Sequence, residues 1–111
     1  MPLMSIATSA KIRNKEDLLE KSSQLISELT DKSKKFIMVK LNDCLNIYFA
    51  DDHSPSCFVE IKSIGSIEPN IMASKITKFL SKEIGIPSDR IYINFDDVSA
   101  SMWAWNGSTF A

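Results

Sequence analysis

The sequence predicts an α+β domain of two layers, a four-stranded mixed sheet with two helices on one face. Two segments with the apolar period of an amphipathic helix alternate with four runs rich in β-branched and aromatic residues. Their order is strand–helix–strand, given twice. Sliding the chain by 55 residues sets Leu25 on Leu80, Glu28 on Glu83, Leu29 on Ile84 and Phe36 on Ile91 without a gap, so residues 2–56 and 57–111 read as a pseudo-repeat. Right-handed crossovers then place both helices on the same side of one shared sheet.

Each element has a local reason. Residues 2–7 (PLMSIA) alternate as a strand that opens on Pro2, where a missing N–H costs nothing. Asn14 offers an N-cap, with Glu16 and Asp17 in the first turn, where acidic groups suit the helix dipole. Leu18, Ser22, Leu25, Ile26 and Leu29 follow at helical spacing, and Asp31-Lys32-Ser33 makes the turn into the strand Phe36–Leu41. In the second half, Cys57–Ile64 alternates as a strand, and Pro69-Asn70 marks a helix start. Met72, Ile76, Phe79, Leu80 and Ile84 form that helix's stripe, Gly85 ends it, and Arg90–Phe95 is the last long strand.

One face of such a sheet lacks a helix. Ile37, Val39, Phe58, Ile61, Ile91 and Ile93 are expected to send apolar side chains in both directions, so the open face needs a cover. Two short extra strands, Asn46–Phe49 and the tail around Met102–Trp105, are candidates to extend neighbouring subunits' sheets in an obligate oligomer.

At 111 residues the chain makes a single domain, 1–111. A net charge of −1 with dispersed lysines gives no nucleic-acid surface and no basic face for a membrane. No run of the roughly 20 apolar residues a membrane helix needs is present, and the start lacks a secretory pattern, so a cytoplasmic location is expected. Cys44 and Cys57 form no CxxC pair and read as ordinary thiols. The lone histidine, His53, sits in a polar loop without companion ligands, so a metal site is not expected.

The first two residues raise a chemical possibility. Methionine ahead of a small residue is normally removed, and trimming Met1 would leave Pro2 as a secondary amine, a base at the foot of a strand. With Met1 retained, the same nitrogen is an amide without basicity.

Three segments carry a resemblance. PSDRIYINFDDVSASMWAWNGSTFA resembles the C-terminal segment of the macrophage migration inhibitory factor family, in the tautomerase superfamily. CFVEIKSIGSI resembles that family's central strand with its Ser-Ile-Gly turn, and the MP start matches in order and separation. Together they span essentially the whole chain. The resemblance implies a homotrimer whose three sheets surround a central channel. It also implies keto–enol tautomerisation of phenylpyruvate-like aromatic α-keto acids and isomerisation of dopachrome-like compounds. In this reading Pro2 is the base, Lys32 binds substrate, Ile64 contributes backbone contacts, and Tyr92 and Asn94 come from the neighbouring subunit.

The chemistry suits those residue types. Proton transfer between oxygen and carbon needs a base that is neutral near pH 7 and a cation for the substrate carboxylate. A free α-amino group titrates near 8, and apolar enclosure or a nearby cation lowers that value. Phe36, Trp103, Trp105 and Phe110 can wall an aromatic substrate, and no metal or organic cofactor is required. Plainer roles compete with each assignment. Lys32 with Lys34 and Lys35 also reads as a solvated turn, Tyr92 and Asn94 as interface filler, Trp103 and Trp105 as subunit packing, and Ile64 as core.

Departures from the best-known animal members narrow what carries over. Asp31-Lys32-Ser33 replaces Gly-Lys-Pro, Phe36 replaces a tyrosine at the pocket mouth, and Trp103 replaces a smaller aliphatic residue. The absent CxxC removes the basis for thiol-oxidoreductase chemistry. The family also contains signalling proteins, so a cytokine-like role through a host receptor, with vestigial catalysis, stands as the alternative class.

Overall fold

The computed structural model describes all 111 residues. Strands β1 (Pro2–Thr8), β2 (Met38–Asn42), β3 (Cys57–Ser63) and β4 (Ile91–Asp97) form one sheet in the order β2-β1-β3-β4. The outer pairings are parallel and the central β1–β3 pairing is antiparallel, which makes the sheet mixed. Helices α1 (Lys15–Thr30) and α2 (Pro69–Ile84) are the two crossovers. A small hairpin, β5 (Ala104–Trp105) and β6 (Ser108–Thr109), closes the chain.

The helix ends follow the sequence signals. The Asn14 side chain accepts from the Asp17 N–H at 3.0 Å, and Asp31 ends α1 in the left-handed conformation. Pro69 sits in the first turn of α2. Gly85 ends that helix at φ 72°, its N–H donating to the Ser81 carbonyl. Met4, Ile6, Val59 and Ile61 from the central strands meet Ile26, Met72, Ile76 and Leu80 from the helices in a fully buried core.

Burial in α1 falls on Leu18, Ser22, Ile26 and Thr30, and in α2 on Met72, Ile76 and Leu80, which answer the first three. The helices therefore correspond at an offset of 54 residues. Strands β1 and β3 correspond at 55, since the buried Pro2, Met4, Ile6 and Thr8 answer Cys57, Val59, Ile61 and Ser63. The second unit is thus one residue shorter between its first strand and its helix, and the gapless 55-residue slide holds only for those strands. Ser22, opposite number of Ile76, is buried with no partner for its hydroxyl.

Three local expectations are corrected. Phe36 closes a 3-10 turn, Lys34–Phe36, and β2 begins only at Met38. Asn46–Phe49 is not a strand within this chain. Left-handed residues at Cys44, Ala50 and Asp51 turn the segment back on itself, leaving one bridge between Phe49 and Asp52. Of the residues expected to feed both sheet faces, Ile37, Val39, Ile61, Ile91 and Ile93 all pack toward the helices. The open face instead mixes Leu3, Ala7, Met38, Phe58 and Tyr92 with Ser5, Lys40, Glu60, Lys62, Asn94 and Asp96.

The 49–55 loop is clasped from below by Arg90, whose guanidinium donates to the carbonyls of Phe49, Asp52, Ser54 and Pro55 and lies 5.1 Å from the centre of the Phe49 ring. Arg90→Met is expected to cost about 1–2 kcal/mol, because charge-assisted bonds to carbonyls are lost while the aliphatic stem remains. Hydrogen-exchange mass spectrometry should then show faster exchange across residues 49–56, with α1 and α2 unchanged. Unaltered protection of the loop would contradict the clasp.

Candidate active site

The sheet register gathers the site at the chain's beginning. Pro2 pairs with Ser63 on β3, so the Ser63-Ile64-Gly65 turn lies beside the N-terminus, and Leu3 pairs with Met38 on β2. That turn is held in place from β4: the Val98 N–H donates to the Ser63 carbonyl at 2.8 Å, and the Gly65 N–H to the Asp97 carboxylate at 2.9 Å. Gly65, at φ 73°, takes a conformation that favours glycine.

A cleft of about 690 Å³ opens at this corner, and 11 of its 15 lining residues are hydrophobic, so it suits an apolar or aromatic guest. Pro2, Phe36, Trp103, Trp105 and Phe110 line it together with Met1, Leu3, Met38 and Val98. The aromatic wall has internal order. Phe36 meets Trp105 edge to face, with ring centres 6.4 Å apart. The Phe110 N–H donates to the carbonyls of Ala100 and Trp103, fastening the tail to the turn before it. Asn106 and Gly107, both at positive φ, make the tight turn that returns β6 to β5. Trp103 lies just outside that hairpin, so only Trp105 of the two tryptophans is in a strand.

Electrostatics at the corner favour a neutral amine. The terminal amine, borne here by Met1, titrates below its ordinary value, first because burial disfavours its charge and then because Lys32 is near. Pro2 is one residue deeper and fully buried. Lys32 does not line the cleft itself. It follows the left-handed Asp31 directly, and its carbonyl accepts the Ser27 hydroxyl at 2.6 Å, which fixes where the turn leaves α1.

Tyr92 and Asn94 stand apart from this cleft on the exposed face of β4, where Tyr92 packs against the Phe49 ring. Ile64 is adjacent in register but is not one of the lining residues. Lys35, Lys62, Met38, Asp96, Val98 and Met102 line the cleft and were not read from the sequence. The β1–β3–β4 ladder, which sets Leu3 beside Lys62 and Lys62 beside Asp96, is what collects two of them. Cys57 lies buried at the far end of β3, its thiol pushed up to about 12 by burial, and is therefore a poor nucleophile.

Comparison with known proteins agrees with this architecture. The model of the macrophage migration inhibitory factor family matches residues 1–111. A macrophage migration inhibitory factor homolog of Trichinella spiralis is 31% identical over 99% of this chain and 100% of its own length. The macrophage migration inhibitory factor of Xenopus tropicalis is 32% identical over the full length of both. A crystal structure of the homologue from Prochlorococcus marinus superposes with a TM-score of 0.93 at 35% identity, covering 98% of this chain and 99% of that one. On this agreement of sequence and fold, the chain belongs to the macrophage migration inhibitory factor family, within the tautomerase superfamily.

Proposed function

We propose that the protein is a keto–enol tautomerase of phenylpyruvate-like α-keto acids, able also to isomerise dopachrome-type compounds, and that it acts as a homotrimer. The observation that carries this reading is the apolar cleft opening on a buried Pro2, where the terminal amine is biased toward its neutral form. Loss of Met1 turns the Pro2 nitrogen into a secondary amine with a free lone pair. Its ring leaves the amine fewer orientations than an ordinary terminus has.

In the proposed cycle, as the family resemblance implies, Lys32 reaches from outside the cleft lining, close to the terminal amine, to hold the substrate carboxylate. Backbone groups near Ile64 bind the oxygens from the adjoining turn, and Phe36, Trp103, Trp105 and Phe110 enclose the ring. The Pro2 nitrogen accepts the proton leaving the enol oxygen and delivers it to the far carbon of the enol double bond, so the oxygen becomes the keto carbonyl and the base is regenerated. Tyr92 and Asn94 act from a neighbouring subunit. Their exposure, with that of Met38 and Phe58 on the same face, suits burial between copies.

Intact mass, sedimentation and an enol–keto assay test the reading together. The purified protein should lack Met1, sediment as a trimer and ketonise phenylpyruvate enol. Pro2→Gly, which keeps an amine but loses the ring, should be slower by about 10-fold or more. A processed wild type no faster than Pro2→Gly overturns the proline-base role, and a monomer overturns the assembly.

A further inference from the structure

The cleft contains more positive charge than one carboxylate uses. Lys35 and Lys62 both line it, and neither has an ion-pair partner, since the molecule's three ion pairs involve only Lys15 and Lys21. The sheet order sets the two lysines on opposite sides of β1, with Lys62 on β3 and Lys35 in the turn entering β2. Lys35 is exposed at the rim, so solvent screens it. Lys62 is half-buried, fixed by a ladder position between Leu3 and Asp96, and backed by a mostly apolar wall. Asp96 is the one carboxylate in that wall. It is exposed and makes no ion pair with Lys62, and nor does Glu60, two residues earlier on the same face. A half-buried cation without a counter-ion in its own chain, beside an apolar cavity, favours an anion delivered by the ligand.

Resting on the tautomerase reading, in which Lys32 takes the α-keto carboxylate, we infer that Lys62 is a specificity-determining residue that holds a second anionic group on the substrate. The cleft therefore favours aryl keto acids with an additional carboxylate over those with a single one. The preference is about tenfold, the size of one charge-assisted hydrogen bond in a partly desolvated site.

Calorimetry with two unreactive probes, cinnamate and 4-carboxycinnamate, measures this without turnover. Wild type should bind the dianion about tenfold more tightly. Lys62→Met should reduce the dianion's affinity about tenfold more than the monoanion's, and Lys62→Arg should retain the preference. Asp96→Asn, which removes the wall's carboxylate without touching Lys62, should widen it. Equal affinities in wild type, a preference that survives Lys62→Met, or a narrower one in Asp96→Asn overturns the inference. A preference found in a protein that fails to ketonise phenylpyruvate would sink the tautomerase reading instead, so the two failures are distinguishable.

Discussion

Inserting a leucine between Met1 and Pro2 is expected to lower kcat/KM for phenylpyruvate enol by about 10²–10⁴-fold, the contribution typical of a positioned general base. The bulky second residue keeps the methionine in place and ties the proline nitrogen into an amide. The aromatic wall and the lysines stay as they are, so substrate affinity should change far less than rate. Intact mass confirms the retained terminus, and activity near that of wild type would exclude the proline nitrogen from the chemistry.

The same assignment fixes a pH dependence. A base must be unprotonated to accept a proton, so kcat/KM rises with pH through the amine's pKa and then levels. Burial and Lys32 both lower the pKa of the Met1 amine at this corner. The same two causes acting on a Pro2 amine would move that rise to lower pH than a free α-amino group shows. Lys32→Met removes one of the two causes and should shift the rise to higher pH. The position of the limb is the readout, because losing the carboxylate's partner also lowers its height. A limb that moves downward would contradict the electrostatic account.

Ile76→Ala is expected to destabilise the fold by about 2–5 kcal/mol, a large part of the 5–15 kcal/mol that holds a typical domain together. Ile76 is fully buried between α2 and the central strands, where rigid neighbours cannot collapse into the space left. Its counterpart in α1 is Ser22, a small residue whose buried hydroxyl has no partner, so α2 supplies more of the apolar contact. Urea unfolding at fixed protein concentration should show a lower midpoint with an unchanged slope. An unchanged midpoint would mean that the site relaxes or that the core lies elsewhere.

The helices were legible because their signals are local: Asn14 caps α1, Pro69 opens α2, and Gly85 closes it. The division of the sheet's faces was not. Ile91-Tyr92-Ile93 looks apolar in both directions, yet only the isoleucines turn toward the helices, and Tyr92 stands on the open side. Asn46–Phe49 has strand composition but no strand beside it in this chain, and composition does not reveal a missing partner. Pro2, Phe36, Trp103, Trp105 and Phe110 were legible as cleft residues by resemblance. Lys62 and Asp96 were not, because they meet only through the pairing of β3 with β1 and β4.

The antiparallel pairing of β1 with β3, centred on Ser5 and Glu60, gives the sheet an approximate dyad. Each corner of the domain therefore has a twin. Under that operation Pro2 maps to Cys57 and Leu3 to Phe58, while Met38 maps to Tyr92 and Phe36 to Arg90. The twin corner holds a smaller hollow of about 160 Å³ lined by Cys57, Phe58 and Tyr92, and Arg90 there is engaged in fastening the adjacent loop. Duplicated architecture thus builds a recess at each end of the β1–β3 pair, the one at Pro2 much the larger. In the proposed mechanism only the Pro2 recess gains an amine, on loss of Met1, whereas the equivalent nitrogen of Cys57 stays within a peptide bond in mid-chain.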